Sequence, residues 1–336
     1  MSATTMHAVL ASGGVELDEP GALRDDEVVA PELRPRDVLV RVRAVSVNPV
    51  DTKVRARMDA DEDPRILGFD ATGTVEAVGE AVHTLSVGDR VWYAGDVTRA
   101  GSNAELQAVD ERIVAPAPRS LGDAEAAALP LCAITAWESL FERLRLGPRS
   151  EGTLLVLAAA GGVGSILIQL ARVLAPGLRV IATASRPESE RWVTGLGADR
   201  VIDHHDLLAQ GRAAAPDGID WIFSPHSQGN EQAFAELLRP FGHIVAIDDP
   251  ERIALRTFKP KAIAWHWEYM FARPMAGTEE MAEQGRILRR VSELVDRGAV
   301  RTTATETIEG LTADSVRRAH QRVLGGHMVG KVVITR

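Results

Sequence analysis

The sequence predicts an α/β protein with two domains, one built on a doubly wound parallel sheet and one that is largely antiparallel β. Three observations support this. Short β-rich runs dominate roughly the first 120 residues, strands and helices alternate from Thr153 onward, and a helix followed by a strand closes the chain. With 336 residues, 45% of them hydrophobic, the chain can supply a sizeable core for each domain.

The N-terminal part carries three β-rich runs separated by turn residues. They are DVLVRVRAVSV at residues 37–47, ATGTVEAVG at 71–79 and DRVWYAG at 89–95. Between residues 120 and 144 the pattern changes to helix formers with apolar residues at helical intervals. This change predicts a domain boundary near residues 120–130, and we assign residues 1–125 to the first domain.

From Thr153 onward the strand runs are TLLVLAA, RVIATAS, DRVID, GIDWIFS and HIVAID, and helical segments separate them. Strands joined by helices of this length pair in parallel through right-handed crossovers. The run KAIAWHW predicts a further strand at residues 261–267, followed by a long helix near 279–297 and a closing strand, GKVVITR. We assign residues 126–270 to the second domain and expect residues 271–336 to return to the first.

Charge and composition disfavour several kinds of protein. Lys plus Arg number 38 against 47 Asp plus Glu, and the net charge of −9 disfavours nucleic acid as a main partner. Cys132 is the single cysteine, which excludes an internal disulfide and a multi-cysteine zinc site, and we interpret it as a small buried residue. No apolar stretch reaches the length of a membrane span, and the N-terminus lacks the features of a signal peptide. We therefore expect a cytoplasmic protein without membrane association.

The stretch LLVLAAAGGVGSILIQLAR, residues 154–172, has the features of a dinucleotide-binding turn. Such a turn needs a small residue at the bend, a glycine where the pyrophosphate approaches the backbone, and a glycine where helix packs on strand. Ala159, Gly161 and Gly164 have this spacing. Because an apolar strand enters the turn and an apolar-periodic helix leaves it, free amides and the positive helix end can meet a phosphate. A simple packing turn is the alternative.

The end of the next strand distinguishes NADPH from NADH. NAD sites usually offer a carboxylate to the ribose hydroxyls, whereas NADP sites offer a cation and small donors to the extra phosphate. Here the segment RVIATASRPESE supplies Thr183, Ser185 and Arg186, and no acidic residue precedes Glu188. The sequence therefore favours NADPH, although Arg186 could also be an ordinary solvated arginine.

At this point a family resemblance is clear. The chain resembles, from end to end, medium-chain dehydrogenase/reductases of the zinc-free quinone oxidoreductase branch, and within them the bacterial group labelled zinc-type alcohol dehydrogenase-like. The motifs that carry this resemblance are SVNPVDTKVR, GFDATGTVEAVG, GDRVWYAGDVTRAGSNAELQAVDERIV, ITAWESLF, AAGGVGS, VIATASRPES, AIDDP and WHWEYMF. The resemblance implies a GroES-like catalytic domain, formed by the N-terminal part and the C-terminal tail, and a Rossmann-type nucleotide-binding domain.

The same resemblance argues against zinc. Zinc alcohol dehydrogenases hold their catalytic metal with a Cys in the first of these motifs and a His in the second, and Asn48 and Phe69 stand at those positions here. Neither side chain replaces a thiolate or imidazole ligand, and the cysteine-rich structural-zinc lobe has no counterpart near residues 93–112. We therefore predict no zinc.

The family pattern also implies which residues contact the cofactor. They are Thr135 near the nicotinamide, Gly161, Gly162, Val163 and Gly164 at the pyrophosphate, Ser185 and Arg186 at the 2'-phosphate, and Lys331 reaching the cofactor phosphates from the tail. His226, Ile247 and Asp248 follow later strands, where the rest of the cofactor is expected. A strand-end surface lysine is the alternative for Lys331.

A metal-free hydride acceptor site must stabilise negative charge with neutral donors, which suits a quinone or enone better than a plain alcohol. Asn48 is the first candidate for polarising the acceptor, Asp51 and Lys53 follow on the same loop, and Tyr93 could donate its hydroxyl. Each has a structural alternative: Asn48 as a turn residue before Pro49, Asp51 as an acceptor of backbone hydrogen bonds, and Tyr93 as a half-buried strand residue. Water could supply the proton.

Two further stretches require interpretation. The run WHWEYMF holds four of the chain's fifteen aromatic residues, so it is a pocket wall, core or interface. In the resembling family the strand at this point pairs with a second subunit, so we predict a homodimer through the region from Lys261 to Phe271.

His204 and His205 lie beside Asp203 and Asp206, but we expect adjacent histidines to diverge and interpret the segment as a solvated turn rather than a metal site.

The leading hypothesis is an NADPH-dependent reductase of a small quinone or α,β-unsaturated carbonyl. An enoyl-thioester reductase is a close alternative, although the acidic chain disfavours a carrier phosphate. A zinc alcohol dehydrogenase is a third, and a protein that binds NADPH without turnover is the hypothesis from another class.

Overall fold

The computed structural model describes residues 4–336, and the chain forms two compact units. Unit 1 comprises the chain up to Leu131 together with Phe271–Arg336, and unit 2 comprises Cys132–Met270. Residues 1–3 lie outside the described residues. They belong to the predicted first domain and to the N-terminal segment in which a signal peptide was considered. None of the helices within residues 4–336 combines the length and hydrophobicity that a membrane span requires.

Residues 4–336 form the following strands and α-helices in chain order. The first are β1 (Thr5–Ala11), β2 (Leu23–Val29), β3 (Asp37–Ser46), α1 (Pro49–Ala56), β4 (Arg65–Ile66), β5 (Ala71–Val78), β6 (Arg90–Tyr93), β7 (Leu106–Asp110), β8 (Ala115–Pro116) and α2 (Asp123–Ala127). Then come α3 (Pro130–Trp137), β9 (Gly152–Val156), α4 (Gly162–Leu174), β10 (Leu178–Thr183), α5 (Pro187–Leu196), β11 (Arg200–Ile202), α6 (Leu207–Ala214), β12 (Ile219–Ser224), α7 (Glu231–Leu237), β13 (Leu238–Ala246) and β14 (Ala264–Trp267). The last are α8 (Ala272–Ala276), α9 (Ala282–Asp296), β15 (Ala304–Glu309), α10 (Ala313–Leu324) and β16 (Lys331–Thr335).

Unit 1 is organised around β3, whose valines 38, 40 and 42 alternate along the strand and are fully buried. The strand pairs antiparallel with β5, β7 and β16. Six strands of this seven-stranded sheet have the order β15-β16-β3-β5-β6-β8, and the seventh, β7, pairs with β3 outside that order. A smaller sheet has the order β2-β1-β4. Val333 of β16 lies opposite Ser46 of β3. The C-terminal strand is therefore an internal part of the unit 1 sheet.

Unit 2 is built on a six-stranded parallel sheet of order β11-β10-β9-β12-β13-β14. Its first strand, β9, has Leu154, Leu155 and Val156 fully buried, as expected for a parallel strand covered on both faces. The strand order reverses between β9 and β12, which is the point where doubly wound sheets bind ligands. With the antiparallel strands of unit 1, this sheet confirms the predicted α/β fold class.

The structure corrects three element boundaries. The strand predicted at 261–267 is only Ala264–Trp267, because Leu255–Lys261 form a 3-10 helix and the Lys261 ammonium donates to the carbonyls of Glu236 (3.0 Å) and Leu238 (2.6 Å). The helix predicted near 279–297 begins as a 3-10 turn, Glu279–Met281, before α9. The helical segment at 120–144 is divided into α2, α3 and a π-helix at Glu138–Arg143. Cys132 lies on α3 and is buried.

Candidate functional site

The glycine turn of unit 2 is held by hydrogen bonds within the turn and from the next strand. Ala158 lies in the left-handed region with φ 46°, and its carbonyl accepts from the amide of Gly161 at 3.0 Å. The Ala158 amide in turn donates to the Thr183 hydroxyl at 3.0 Å. The sharp bend at the end of β9 is therefore fixed before α4 begins.

Gly164 permits helix α4 to lie directly against this turn. A Cβ atom at Gly164 would lie 2.7 Å from both the Cα and the carbonyl oxygen of Ala159, which no side chain tolerates. Gly162, Val163 and Gly164 form the first helical turn, whose amides lack an intrahelical acceptor and point out of the helix N-terminus. This geometry fits the pyrophosphate of a dinucleotide.

Thr183 supports the turn. It is only 3% exposed, and its hydroxyl accepts the Ala158 amide. Its predicted contact with the cofactor stays a prediction. Ser185 and Arg186 follow β10 and are half-buried, and the Arg186 amide donates to the Ser189 hydroxyl at the start of α5. These two residues stay candidates for the 2'-phosphate.

The ends of β12 and β13 are joined by a polar network that the sequence interpretation missed. The carboxylate of Asp248 accepts from the Ser227 amide at 2.6 Å and from its hydroxyl at 2.8 Å, and that hydroxyl also lies 3.0 Å from Ser224. His226 is exposed on this loop and Ile247 is half-buried. Asp248 is thus a loop-fixing residue. The polar residues directly after two neighbouring strands were the available signal.

Thr135 lies on α3 and is 5% exposed. Its predicted position near the nicotinamide stays a prediction, as do the cofactor contacts of His226, Ile247 and Asp248.

Unit 1 contains a buried polar cluster around the ammonium of Lys331. The ammonium donates to the Val47 carbonyl at 2.6 Å and to Asn48 Oδ1 at 2.5 Å, and it lies 3.6 Å from Asp70 Oδ2. Asn48 Nδ2 donates to the same Asp70 oxygen at 2.9 Å. Asp70 also accepts from the Ser46 hydroxyl and the Leu131 amide, both at 2.8 Å.

This cluster changes two predicted roles. Lys331 is 3% exposed and its ammonium is directed into unit 1, so neither the phosphate-reaching role nor the surface-lysine alternative agrees with its contacts. Asn48 is 1% exposed, and both ends of its amide are bonded to Lys331 and Asp70. Its contacts are those of a residue that organises the loop, and they do not support direct polarisation of an acceptor.

Asp51 is the unusual acid of this region. Its Oδ2 accepts from the Asn48 amide at 2.7 Å, whereas its buried Oδ1 has no hydrogen-bond partner among residues 4–336. Burial raises the pKa of Asp51 to about 7, against the lowering effects of the Asn48 amide and the Lys331 charge. Burial also raises the pKa of Asp70, again opposed by Lys331. Burial therefore makes both carboxyl groups easier to protonate than solvated ones.

Tyr93 and Lys53 differ sharply in their surroundings. Tyr93 is 1% exposed rather than half-buried, and its hydroxyl lacks a hydrogen-bond partner within the described chain. Burial raises the pKa of this hydroxyl, so it stays protonated and can act only as a neutral donor. Lys53 is half-buried on α1, two residues after Asp51, and residues at that spacing do not face each other on a helix. The structure does not bring Lys53 to the same side as Asp51.

The residues at the expected zinc position do not fit a zinc ion. The Phe69 ring is fully buried and packs edge-on against Phe271 with ring centroids 5.4 Å apart. Asn48 is bonded to an ammonium, which already supplies positive charge beside Asp70. Zinc is normally bound by thiolate, imidazole or carboxylate ligands that are free to turn toward it, and this arrangement offers none at positions 48 and 69.

The histidine pair of unit 2 contradicts a sequence-based expectation. The His204 and His205 rings do not diverge, because His204–Asp206 form a 3-10 turn instead of extended chain, and the ring centroids lie 4.1 Å apart. Asp203 lies with them, and one ligand atom from each of the three residues falls within 4.8 Å of the others.

Comparison with known proteins identifies the class. Residues 34–119 match the family described as alcohol dehydrogenase GroES-like domain, and residues 196–334 match zinc-binding dehydrogenase. A zinc-type alcohol dehydrogenase-like protein of Staphylococcus aureus (strain MSSA476) is 40% identical over 329 residues, covering 95% of this chain and 96% of the relative. The chain therefore belongs to the medium-chain dehydrogenase/reductase superfamily, as the resemblance implied, and is an oxidoreductase of that family.

Two further proteins are informative. The crystal structure of a candidate zinc-dependent alcohol dehydrogenase from Rhizobium etli CFN 42 is 44% identical, with a TM-score of 0.95 and coverage of 100% of this chain and 99% of that one. An NADPH-dependent alkenal/one oxidoreductase of Arabidopsis thaliana chloroplasts is 36% identical over 233 residues, covering 66% of this chain and 58% of the relative.

We predict that replacing Lys331 with Met destabilises the protein by about 3–5 kcal/mol, because Asp70 is left buried without its cation. Adding Asp70→Asn in the same chain should recover part of that loss. The measurement is the free energy of urea unfolding for both single variants, the double variant and the parent. Lys53→Met, at a half-buried helix position, serves as the control. If the Lys331 and Asp70 effects simply add, the two groups are not coupled.

Proposed function

We propose that the protein is an NADPH-dependent oxidoreductase that transfers hydride to a quinone or an α,β-unsaturated carbonyl compound without zinc. The observation that carries the proposal is the chemistry at positions 48 and 69, where Phe69 is buried against Phe271 and Asn48 is bonded to Lys331 and Asp70. A conjugated acceptor suits such a site because it spreads the developing charge and needs no Lewis acid.

The cofactor proposal rests on unit 2. The amides of Gly162, Val163 and Gly164 would hold the pyrophosphate, and Ser185 and Arg186 would hold the 2'-phosphate. The NADPH dependence named for the Arabidopsis relative supports the choice of NADPH. NADPH would supply the hydride, and the protein's residues would bind and orient it.

We propose Asp51 as the source of the proton. Asp51 has a buried oxygen without a partner in the described chain and a pKa of about 7, so its neutral form is substantially populated at neutral pH. A carboxylic acid of this pKa is matched to proton donation near pH 7. Tyr93 offers a second buried donor, a neutral hydroxyl that could hydrogen-bond to the reduced oxygen.

The test is NADPH consumption by the purified protein with a small quinone, an alkenal and crotonyl-CoA, together with metal analysis. We expect turnover with the quinone or the alkenal, and no loss of activity with a chelator. Because Asp51 must be protonated to donate, the rate should fall as pH rises through about 7. In Asp51→Asn that decline should vanish along with much of the rate.

Other results of this experiment would point elsewhere. Turnover of crotonyl-CoA alone would indicate an enoyl-thioester reductase. Tight NADPH binding with no consumption would indicate a binding protein, and one zinc ion per chain that is lost on Asn48→Ala would refute the zinc-free proposal.

Replacing Arg186 with Asp should reduce the preference for NADPH over NADH by about tenfold or more, since a cation near the 2'-phosphate becomes an anion. The measurement is the dissociation constant of each cofactor for the parent and the variant. Arg191→Asp, on the exposed side of the same helix, is the matched control and should leave the ratio unchanged. An unaltered preference in Arg186→Asp would mean that the 2'-phosphate binds elsewhere.

We also propose that the protein is a homodimer and, as predicted from the sequence, cytoplasmic. Strand β14 ends the unit 2 sheet and pairs only with β13 within residues 4–336, and Trp267 and Tyr269 next to it are 51% and 47% exposed. The other two aromatics of the run are differently used, since Trp265 stacks on Phe258 and Phe271 is buried. An unpaired edge with exposed aromatics is the kind of surface that a second copy covers.

Sedimentation equilibrium should therefore give the mass of two chains. Trp267→Asp should shift the protein toward the monomer, because it puts a charge into the proposed apolar interface. Leu324→Asp, at an exposed apolar residue of unit 1, should leave the dimer intact. A parent protein with the mass of one chain would rule out the dimer.

A further inference from the structure

Asp203, His204 and His205 form a compact group of metal-ligating side chains after strand β11. Asp203 Oδ1 accepts from the backbone amide of His205 at 2.9 Å and lies 2.8 Å from that residue's Nδ1. It lies 3.8 Å from His204 Nδ1. The carboxylate oxygen is therefore fixed by the turn and faces the same nitrogen atom of both rings.

These separations are close to those around a tetrahedral zinc ion. Zinc binds imidazole nitrogen at roughly 2.0–2.1 Å and carboxylate oxygen at roughly 2.0–2.2 Å, so two of its ligand atoms lie about 3.3 Å apart. The observed distances of 2.8 Å and 3.8 Å bracket that value. All three ligand atoms, including those of the two histidines, lie within 4.8 Å of one another.

The kinds of side chain also suit a metal ion of this type. Imidazole nitrogen and carboxylate oxygen are ligands that zinc, nickel and copper ions accept in proteins.

The group is open to solvent, which leaves room for the rest of a coordination shell. The side chains of Asp203, His204 and His205 are 40%, 50% and 71% exposed. Water molecules can thus occupy the remaining positions around an ion.

We propose that Asp203, His204 and His205 form a binding site for one divalent transition-metal ion of the zinc, nickel or copper type. The ion would be held by Asp203 Oδ1 and by the Nδ1 atoms of both histidines. The site is distinct from positions 48 and 69 and does not depend on the proposed reductase activity.

The test is isothermal titration calorimetry of the full chain, free of any histidine tag, with zinc chloride in a non-coordinating buffer. We expect one ion per chain. Single replacements His204→Ala, His205→Ala and Asp203→Asn should each weaken binding by at least about tenfold, since even partners behind the ligands contribute that much at metal sites. His327→Ala, which removes an exposed histidine of unit 1, should leave the affinity unchanged.

Two results would overturn the proposal. One is a parent protein that takes up no more zinc than the triple variant Asp203→Asn, His204→Ala, His205→Ala. The other is binding that survives loss of His204 but disappears in His327→Ala. Circular dichroism of each variant checks that the fold is retained, which is expected because all three side chains are exposed.

Discussion

The polar interior of unit 1 depends on one buried ammonium, that of Lys331. It bonds to Val47 and Asn48, which precede it by 284 and 283 residues, and lies 3.6 Å from Asp70. An isolated buried charge is prohibitively costly, so these acceptors and the ammonium must be assembled together or not at all. The first residue of β16 therefore fixes the loop between β3 and α1, and that loop in turn positions Asp51.

The acidic and basic groups buried in this region are unequal in number. Two fully buried carboxyl groups, Asp51 and Asp70, face a single ammonium. Asp70 has the closer cation and three further donors, from Ser46, Asn48 and Leu131. Asp51 has one donor and an oxygen without a partner among the described residues, and burial raises the pKa of both acids, that of Asp51 to about 7.

Features that depend on neighbouring residues could be predicted from the sequence, and features that depend on distant ones could not. The turn from Ala159 to Gly164 follows from the local order of apolar strand, small residues and apolar helix, and the alternation after Thr153 was enough to predict the parallel sheet. The contact of Lys331 with Asn48 joins the two ends of the chain, and no local pattern signals it. Ser227 and Asp248 similarly meet only because parallel pairing brings the ends of β12 and β13 together.

Successive side chains point to opposite faces of a strand only while the chain is extended, and Thr183 and the histidine pair illustrate this limit. Thr183 is the last residue of β10. Its side chain is buried, and its hydroxyl accepts a hydrogen bond from the Ala158 amide in the glycine turn. One strand over, β11 ends at Ile202, and Asp203 caps a 3-10 turn by accepting from the His205 amide. Beyond that cap the chain is no longer extended, so side chains at adjacent positions can converge. The backbone conformation of a single turn thus decides whether two histidines are separate surface residues or potential ligands of one ion.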